Sequence, residues 1–329
     1  MAVLILNIGS ATIKWAVFEK GWQEEGTKYI KNFDSDLNKI LMDIKRKYFI
    51  NAVGYRIVHG GDIERSAVLN GKILKKLNKF TEIAPLHETN ELKGTGISRK
   101  IFSTAKHIAV FDTSFHSTMP EKAKIYAIPL EFYKNGIKRY GFHGISHKYV
   151  AEKVMKSLKA KKLRLVSCHF GAGCSITAIK DGKSIDTSMG FTPLDGIMMM
   201  TRSGSIDPGI LIYLMKQGYN HDKLNKLLNE NSGLKGISGI GDMRDLIKSN
   251  KKESKLAVDI FCYLAAKQIA AYSAALNGID AIAFTGGIGE NEKHIREKIL
   301  KQLKFLKAKM FIIKANEKEI ILKEVLNLL

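Results

Sequence analysis

Short, uninterrupted apolar runs alternate along the chain with longer stretches in which apolar residues recur every third or fourth position. "VLILN" (3–7), "HIAVF" (107–111), "LRLVSCHF" (163–170) and "AIAFT" (281–285) each end in a polar or glycine-rich turn, and runs of this kind predict buried strands. "LAVDIFCYLAAKQIAAYSAAL" (256–276) is alanine-rich, apolar at helical spacing, and stops at Asn277-Gly278, which predicts a helix with a left-handed end. Strands alternating with helices predict an α/β protein. A chain of 329 residues exceeds what one hydrophobic core usually serves, so two domains are expected. We place the N-terminal one at 1–146, completed by a C-terminal helix over 317–329, and the C-terminal one at 147–316.

One internal similarity bears on that division. "LILNIGSATIKWAV" and "VSCHFGAGCSITAI" overlay without a gap, so that Gly9 meets Gly171 and Ala16-Val17 meets Ala178-Ile179. Both read as strand, tight glycine turn, strand. A duplication would give two related domains, each offering a hairpin turn to a cleft between them.

Composition narrows the class. With 45% apolar and 26% charged residues the chain is globular in type, not disordered. No run of about 18 apolar residues predicts a membrane span, and the opening "MAVLILNIGSATIKW" reads as a first strand, not as a signal sequence. Cys168, Cys174 and Cys262 have no paired metal-ligand spacing and suit a reducing cytoplasm. The net charge of +21 comes from dispersed lysines ("KKLNKF", "KSLKAKKLR", "KSNKKESK"). Without interleaved aromatics or a nucleic-acid-binding motif they read as a solvated surface, whose field would attract a polyanion such as a nucleotide.

Candidate chemistry starts at the glycine-rich turns, where backbone N–H groups can converge on phosphate oxygens. "NIGSATIK", "HFGAGCS" and "FTGGIGEN" all follow buried strands, and none has the spacing of a Walker loop or a dinucleotide fingerprint. Gly171, Gly173, Gly287, Gly289 and Asn291 are therefore candidate nucleotide-binding positions. Asn7, Ser10, Thr12 and Lys14 surround the first turn. "YGFHGISH" sets His143 and His147 four residues apart, but Gly144 lies between them and no third ligand is near, so zinc is not expected. His143 is better suited to donate to a developing anionic oxygen. Asp112 ends a strand in "VFDTSFH", where α/β proteins place catalytic carboxylates. Arg202 sits in a turn before a helix starting near Asp207-Pro208, and "RIVHGG" sets Arg56 beside Ile57 and Val58 before a tight turn. Plainer roles stay open for each: a helix cap for Asp112, a surface ion pair for Arg202, a core-edge position for His116.

Taken in order from residue 5 to 291, "LNIGSATIKWAVF", "GYRIVHGG", "APLH", "VFDTSFHSTMPEKAKIYAIPLEFYKNGIKRYGFHGISHKYVAE", "CHFGAGCSITAI", "DTSMGFTPLDG", "TRSGSIDPG", "SGLKGISGIGDMRD" and "FTGGIGEN" resemble the acetate/propionate kinase family. The resemblance implies two actin-like (ribonuclease H-like) domains with the active site in the cleft, a homodimer, and reversible phosphoryl transfer from ATP to a short-chain carboxylate by direct in-line attack. It implies Mg²⁺ or Mn²⁺, with ATP/ADP and acetate/acetyl phosphate as substrates. On the matching positions, Arg56 and Arg202 would hold the carboxylate and the phosphoryl group. His143 would contact the phosphoryl oxygens, and Asp112 would orient the arginines or metal-bound water. Asn7 and Glu317 would hold the metal. Ser10, Thr12 and Lys14 would form the first phosphate loop, and His87 and His169 would be further active-site histidines. Val58, Leu86, Phe142 and Pro193 would line a pocket for the substrate methyl, with Asp242 and Arg244 on the nucleotide side.

The chain departs from the family pattern at Ala172, where asparagine is usual, at Met200 and Ser205 within the usual "GTRSGD", and in "PLHET" for "PLHNP". It is also shorter after residue 18, between 300 and 312, and at its end. Those departures keep two alternatives in view: a propionate kinase, and a nucleotide-binding paralogue without catalysis.

Overall fold

The computed structural model describes residues 1–9, 12–78 and 85–329, with side chains from residue 90 onward in the last segment. The chain forms two compact units. The first comprises Met1–Ser117, His143–Ile145 and Asn316–Leu329, and the second comprises Thr118–Phe142 and Ser146–Ala315.

The first unit is built on strands β1 (Ala2–Ile8), β2 (Thr12–Glu19), β3 (Trp22–Tyr29), β4 (Ile50–Ile57), β5 (Ala67–Val68) and β6 (Lys106–Phe111). They lie in the order β3-β2-β1-β4-β6-β5. β1–β2 and β2–β3 are antiparallel hairpin pairs, while β1–β4 and β4–β6 are parallel. β1 is buried along nearly its whole length, as a central strand covered on both faces must be. Its alternate residues divide between two layers. Leu4, Leu6 and Ile8 join a core with Leu37, Leu41 and Ile44 of the helix Phe33–Lys47. Ile5 faces the helix Glu317–Leu326, which comes so close that a Cβ on Gly54 of β4 would lie 2.6 Å from Val325. Glycine at 54 is what lets that last helix lie down on the sheet.

The second unit repeats the plan. β7 (Arg164–Phe170), β8 (Cys174–Lys180), β9 (Lys183–Thr187), β10 (Ala281–Thr285) and β11 (Lys309–Ile312) form a sheet of order β11-β10-β7-β8-β9. β7–β8 and β8–β9 are antiparallel, and β7–β10 and β10–β11 are parallel. Read from the other edge, β9-β8-β7-β10-β11 matches β3-β2-β1-β4-β6 pair for pair. The sequence overlay of residues 4–17 on 166–179 thus falls on equivalent hairpins. Each turn is closed by a glycine N–H: Gly9 donates to Thr12 O at 2.8 Å and Gly171 to Gly173 O at 3.0 Å.

The predicted alanine-rich helix runs over Lys252–Leu276 and buries Ala257, Phe261, Ala265, Ile269 and Leu276 on one face. It ends at Asn277 in the left-handed region (φ 54), the stop its sequence announced. Among the described residues no helix is long and apolar enough to cross a membrane.

Two buried histidines make the first unit sensitive to acid. His59 is fully buried, and its Nδ1 accepts the Gly61 N–H at 2.9 Å, which requires that nitrogen unprotonated. Burial pushes its pKa from 6.5 down to about 4, opposed by Asp62. His107 is lowered by burial as well, between Tyr55 (2.6 Å) and the Phe102 carbonyl (3.0 Å). A histidine depressed in the folded state binds its proton more readily unfolded, so its stabilisation is complete above about pH 6.5 and is lost as pH falls towards about 4. Carboxylates lowered by pairing, such as Asp280, begin to lose theirs only below about pH 4. Urea unfolding between pH 6.5 and 4 should therefore show a loss on the order of 3 kcal/mol from His59. His59→Asn should flatten the slope in that window.

Candidate active site

The first unit gathers its charged groups at the carboxyl ends of its parallel strands, where such sheets place ligands. The register pairs Arg56 with Val110 and Ile57 with Phe111, which sets Asp112, one residue past β6, beside the end of β4. The Asp112 N–H donates to Ile57 O at 3.0 Å, carrying the ladder one step beyond the strands. Arg56 then meets Asp112 edge-on: Nε donates to both carboxylate oxygens at 3.2 Å, and Nη2 donates to Oδ2 at 2.6 Å. Asp112 is 1% exposed and Arg56 18%, so this is a nearly dry pair. Burial works to lower the Arg56 pKa, but Asp112, Glu317 and Glu91 together hold it above its ordinary value.

Two further donor–acceptor groups complete the cluster. Asn7, on the central strand β1, accepts from Arg56 Nη1 at 3.3 Å and donates to Glu317 Oε2 at 3.5 Å. Glu317, the first residue of the last helix, lies 3.9 Å from Arg56 Nε. His143 enters from the opposite direction in the chain. It occupies the left-handed region (φ 57), its backbone N–H reaches the Asp112 carboxylate, and the Gly144 N–H donates to Asp112 O at 2.9 Å. A Cβ on Gly144 would lie 2.1 Å from that carbonyl oxygen. The glycine after His143 is therefore a packing necessity, and it fixes the histidine to the strand end. Asp112 serves as the counter-ion of Arg56, and His116 is buried.

Lys14 lies directly across the hairpin from Asn7 and is exposed, while Thr12 is half-buried. Ser10 lies outside the described residues, as do the side chains of Leu86 and His87. Val58 is buried, and its N–H donates to Glu91 Oε2 at 2.9 Å. Glu91 is 2% exposed and was not a candidate from sequence. A buried acid in the helix Pro85–Ile101 gives no periodic signal that separates it from a solvated one.

In the second unit the informative residue is Arg202. Its Nη1 donates to Pro193 O at 3.2 Å and lies 3.7 Å from Met199 Sδ. No carboxylate pairs with it among the described residues, and burial lowers its pKa. The loop that carries it is rigidly tied. Met199 N donates to Arg202 O at 3.0 Å, and Leu234 N to Met199 O at 2.9 Å. Gly233 (φ 63) approaches so closely that a Cβ would sit 2.2 Å from Met199 O. Met200 N donates to Ala172 O at 3.3 Å, so two of the departures from the family pattern touch each other at the β7–β8 turn.

His169 Nδ1 is bonded to Ser146 Oγ at 2.8 Å, beside the Gly171–Gly173 turn. His147 belongs to the core instead, its two ring nitrogens bonded to Ser167 (2.9 Å) and Ser175 (2.8 Å). Phe142 is also buried. Asp242 and Arg244 hold each other: Asp242 caps the helix Met243–Lys248 and accepts from Arg244 Nη2 at 2.6 Å. Those hydrogen bonds lower the Asp242 pKa to about 2.

The third glycine segment is not a turn. Gly286–Asn291 is a short helix that follows β10 directly. Gly286 takes φ 78, and a Cβ there would come within 2.7 Å of Phe170 O. Its N–H donates to Glu290 Oε1 at 2.9 Å, which closes the first turn of the helix. Gly287 faces open space, and Asn291 bonds back to Gly287 O at 2.8 Å.

Residues 23–321 match the acetokinase family. The chain is 39% identical to the acetate kinase of Carboxydothermus hydrogenoformans over 100% of this chain and 99% of that protein. It is 49% identical to the acetate kinase of Clostridium beijerinckii over 78% of this chain and 67% of that protein. The crystal structure of a propionate kinase from Francisella tularensis superposes with a TM-score of 0.92 at 36% identity, covering 100% of both chains. The duplicated sheets are those of the actin-like ATPase fold.

The two acid–arginine pairs differ enough in burial to be told apart. Asp112→Asn leaves Arg56 nearly buried without its principal counter-charge and should cost about 3 kcal/mol in urea unfolding. Asp242→Asn keeps a helix cap at a solvent-exposed pair and should cost less than about 1 kcal/mol.

Proposed function

The chain belongs to the acetokinase family, and we propose that it is an acetate kinase, catalysing reversible, Mg²⁺-dependent phosphoryl transfer between ATP and acetate. Arg202 carries the reading: a half-buried guanidinium that no carboxylate pairs with among the described residues, in a loop held by backbone bonds and a constrained glycine. A cation withdrawn from water and left uncompensated is costly unless an anion arrives to meet it. The γ-phosphoryl group in transfer, with charge spread over three oxygens, is such an anion.

In the forward reaction an acetate oxygen attacks the γ-phosphorus. The new O–P bond forms as the bond to the β–γ bridging oxygen breaks, and the electron pair leaves on ADP. Arg202 neutralises the equatorial phosphoryl oxygens and His143 donates to them. Asp112 occupies the Nε–Nη2 edge of Arg56 and fixes the guanidinium plane. That leaves Nη1, whose bond to Asn7 is long at 3.3 Å, to take a carboxylate oxygen. Val58, its backbone N–H pinned by Glu91, would meet the methyl group, and the family resemblance assigns Leu86, Phe142 and Pro193 to the same role. Positioning and charge neutralisation of this kind account for most catalysis of phosphoryl transfer.

The Asn7 amide nitrogen donates to Glu317 Oε2 at 3.5 Å, which brings the Asn7 amide oxygen and the Glu317 carboxylate together as hard oxygen donors, and a small donor set of this type suits Mg²⁺. Held by Asn7 and Glu317, the ion would supply positive charge to offset that of the phosphates. We assign Thr12, Lys14, His169, Gly171 and Gly173 at the two hairpins to the nucleotide phosphates, and Ser10 with them by the family resemblance. We assign Gly287, Gly289 and Asn291 of the short helix, with Asp242 and Arg244, to the nucleotide as well. A homodimer is supported by the helix Pro208–Lys216, which buries none of its residues while exposing Ile210, Ile212, Tyr213 and Met215.

With ATP, Mg²⁺, acetate and hydroxylamine, the protein should trap acetyl phosphate as the hydroxamate. Arg202→Ala should lower turnover by roughly 10³-fold while still binding ADP. Val58→Ala should shift preference towards propionate, within the 10- to 200-fold or so that one methylene can command. Wild-type protein that binds ADP yet makes no acyl phosphate from acetate, propionate or butyrate would sink the kinase reading in favour of a non-catalytic paralogue. A wild-type preference for propionate would make it a propionate kinase.

A further inference from the structure

We infer that Arg139, Tyr126 and Asp195 form a brace that positions Arg202, and so control turnover without touching either substrate; this rests on the phosphotransferase reading above. Arg139 Nη1 faces the carbonyl oxygens of Thr187 (3.2 Å), Ser188 (3.0 Å) and Met189 (3.2 Å) and Asp195 Oδ2 (3.1 Å). Its guanidinium lies 5.3 Å from the centre of the Tyr126 ring. The Tyr126 hydroxyl accepts the Phe191 N–H at 2.8 Å and donates to Asp195 Oδ2 at 3.4 Å. A Cβ on Gly190 would strike both Tyr126 Oη (2.1 Å) and Asp195 Oδ2 (2.4 Å), so the segment after β9 is shaped around these side chains.

The other oxygen of Asp195 connects the brace to Arg202. Asp195 Oδ1 accepts from the Gly196 N–H at 2.8 Å and from Ser205 Oγ at 2.6 Å. The Ser205 N–H returns to Gly196 O at 2.8 Å. Arg202 therefore lies between two anchored points. Behind it, Ser205 is tied to Asp195. In front of it, the Pro193 carbonyl that receives its guanidinium belongs to the segment Arg139 and Tyr126 hold. A guanidinium that must meet a phosphoryl group within hydrogen-bond reach tolerates little drift, since a displacement of about 1 Å costs on the order of 10²-fold in rate. None of the brace residues needs to contact substrate for that cost to appear.

The test is a double-mutant cycle with a second readout that needs no turnover. Tyr126→Phe removes both hydroxyl bonds and keeps the ring beneath Arg139. It should lower kcat roughly 10- to 100-fold with KM for ATP nearly unchanged, and should cause no further loss in the Arg202→Ala background. Ser205→Ala, at the other end of the brace, should show the same non-additivity and covers the case in which Tyr126→Phe folds poorly. Hydrogen exchange over residues 187–205 should accelerate in both variants. Equal losses in the two backgrounds, or unchanged kcat, would overturn the proposal. Unchanged exchange in a folded variant would overturn it whether or not the protein turns over acetate, while absent wild-type turnover with accelerated exchange would overturn only the reading of the reaction.

Discussion

The Arg56–Asp112 pair is the constraint on which the charged cluster of the first unit depends. Bringing a guanidinium and a carboxylate out of water costs several kcal/mol per ion. The pair persists only because its geometry is edge-on and its remaining polar atoms are served. The Asp112 backbone is held by Ile57 and Gly144, and its carboxylate takes the His143 N–H. Those bonds require parallel β4 and β6 to end together, a left-handed His143, and a glycine at 144 that allows backbone contact. Asn7 and Glu317 come from opposite ends of the sequence and meet the same arginine. Glu317 thus ties the C-terminal helix, already packed on the sheet over Gly54, to the cluster at the ends of the N-terminal strands.

The second unit holds its arginine in the opposite way. Arg202 is fixed through the backbone, by bonds to its loop and by glycines that admit no side chain, while among the described residues no acid pairs with its charge. A guanidinium already neutralised by aspartate is a rigid template for orienting a carboxylate. One left unneutralised gains most when negative charge arrives. In the proposed transfer to a carboxylate, the first would suit the acceptor and the second the phosphoryl group in flight.

Much of this was legible in the sequence, and the limits have physical causes. The four apolar runs became β1, β6, β7 and β10 because continuous hydrophobicity is what strands covered on both faces require. The overlay of the two glycine hairpins anticipated two sheets of the same order. Asp112 was singled out by its place at a strand end, Arg56 by its apolar neighbours before a tight turn and Asn7 by the first glycine turn, and they meet in space. "FTGGIGEN" read as a loop because glycines dominate it, yet Gly286 and Glu290 close a helical turn whose stabilising bond joins a backbone N–H to a side chain four residues on. Glu91, Tyr126, Arg139 and Asp195 were passed over for a different reason. Their importance lies in bonds to backbone atoms distant in sequence, which leave no local pattern. The adjacent Lys138-Arg139 before "YGFH" was the nearest available hint.

In the proposed reaction the carboxylate attacks phosphorus directly, with no phosphorylated protein intermediate. The stereochemical course at the γ-phosphorus tests this most directly. With acetate as acceptor and ATP made chiral at that phosphorus with oxygen isotopes, a single in-line displacement predicts acetyl phosphate of inverted configuration. Net retention would mean two successive transfers through a group on the protein, and would contradict the account.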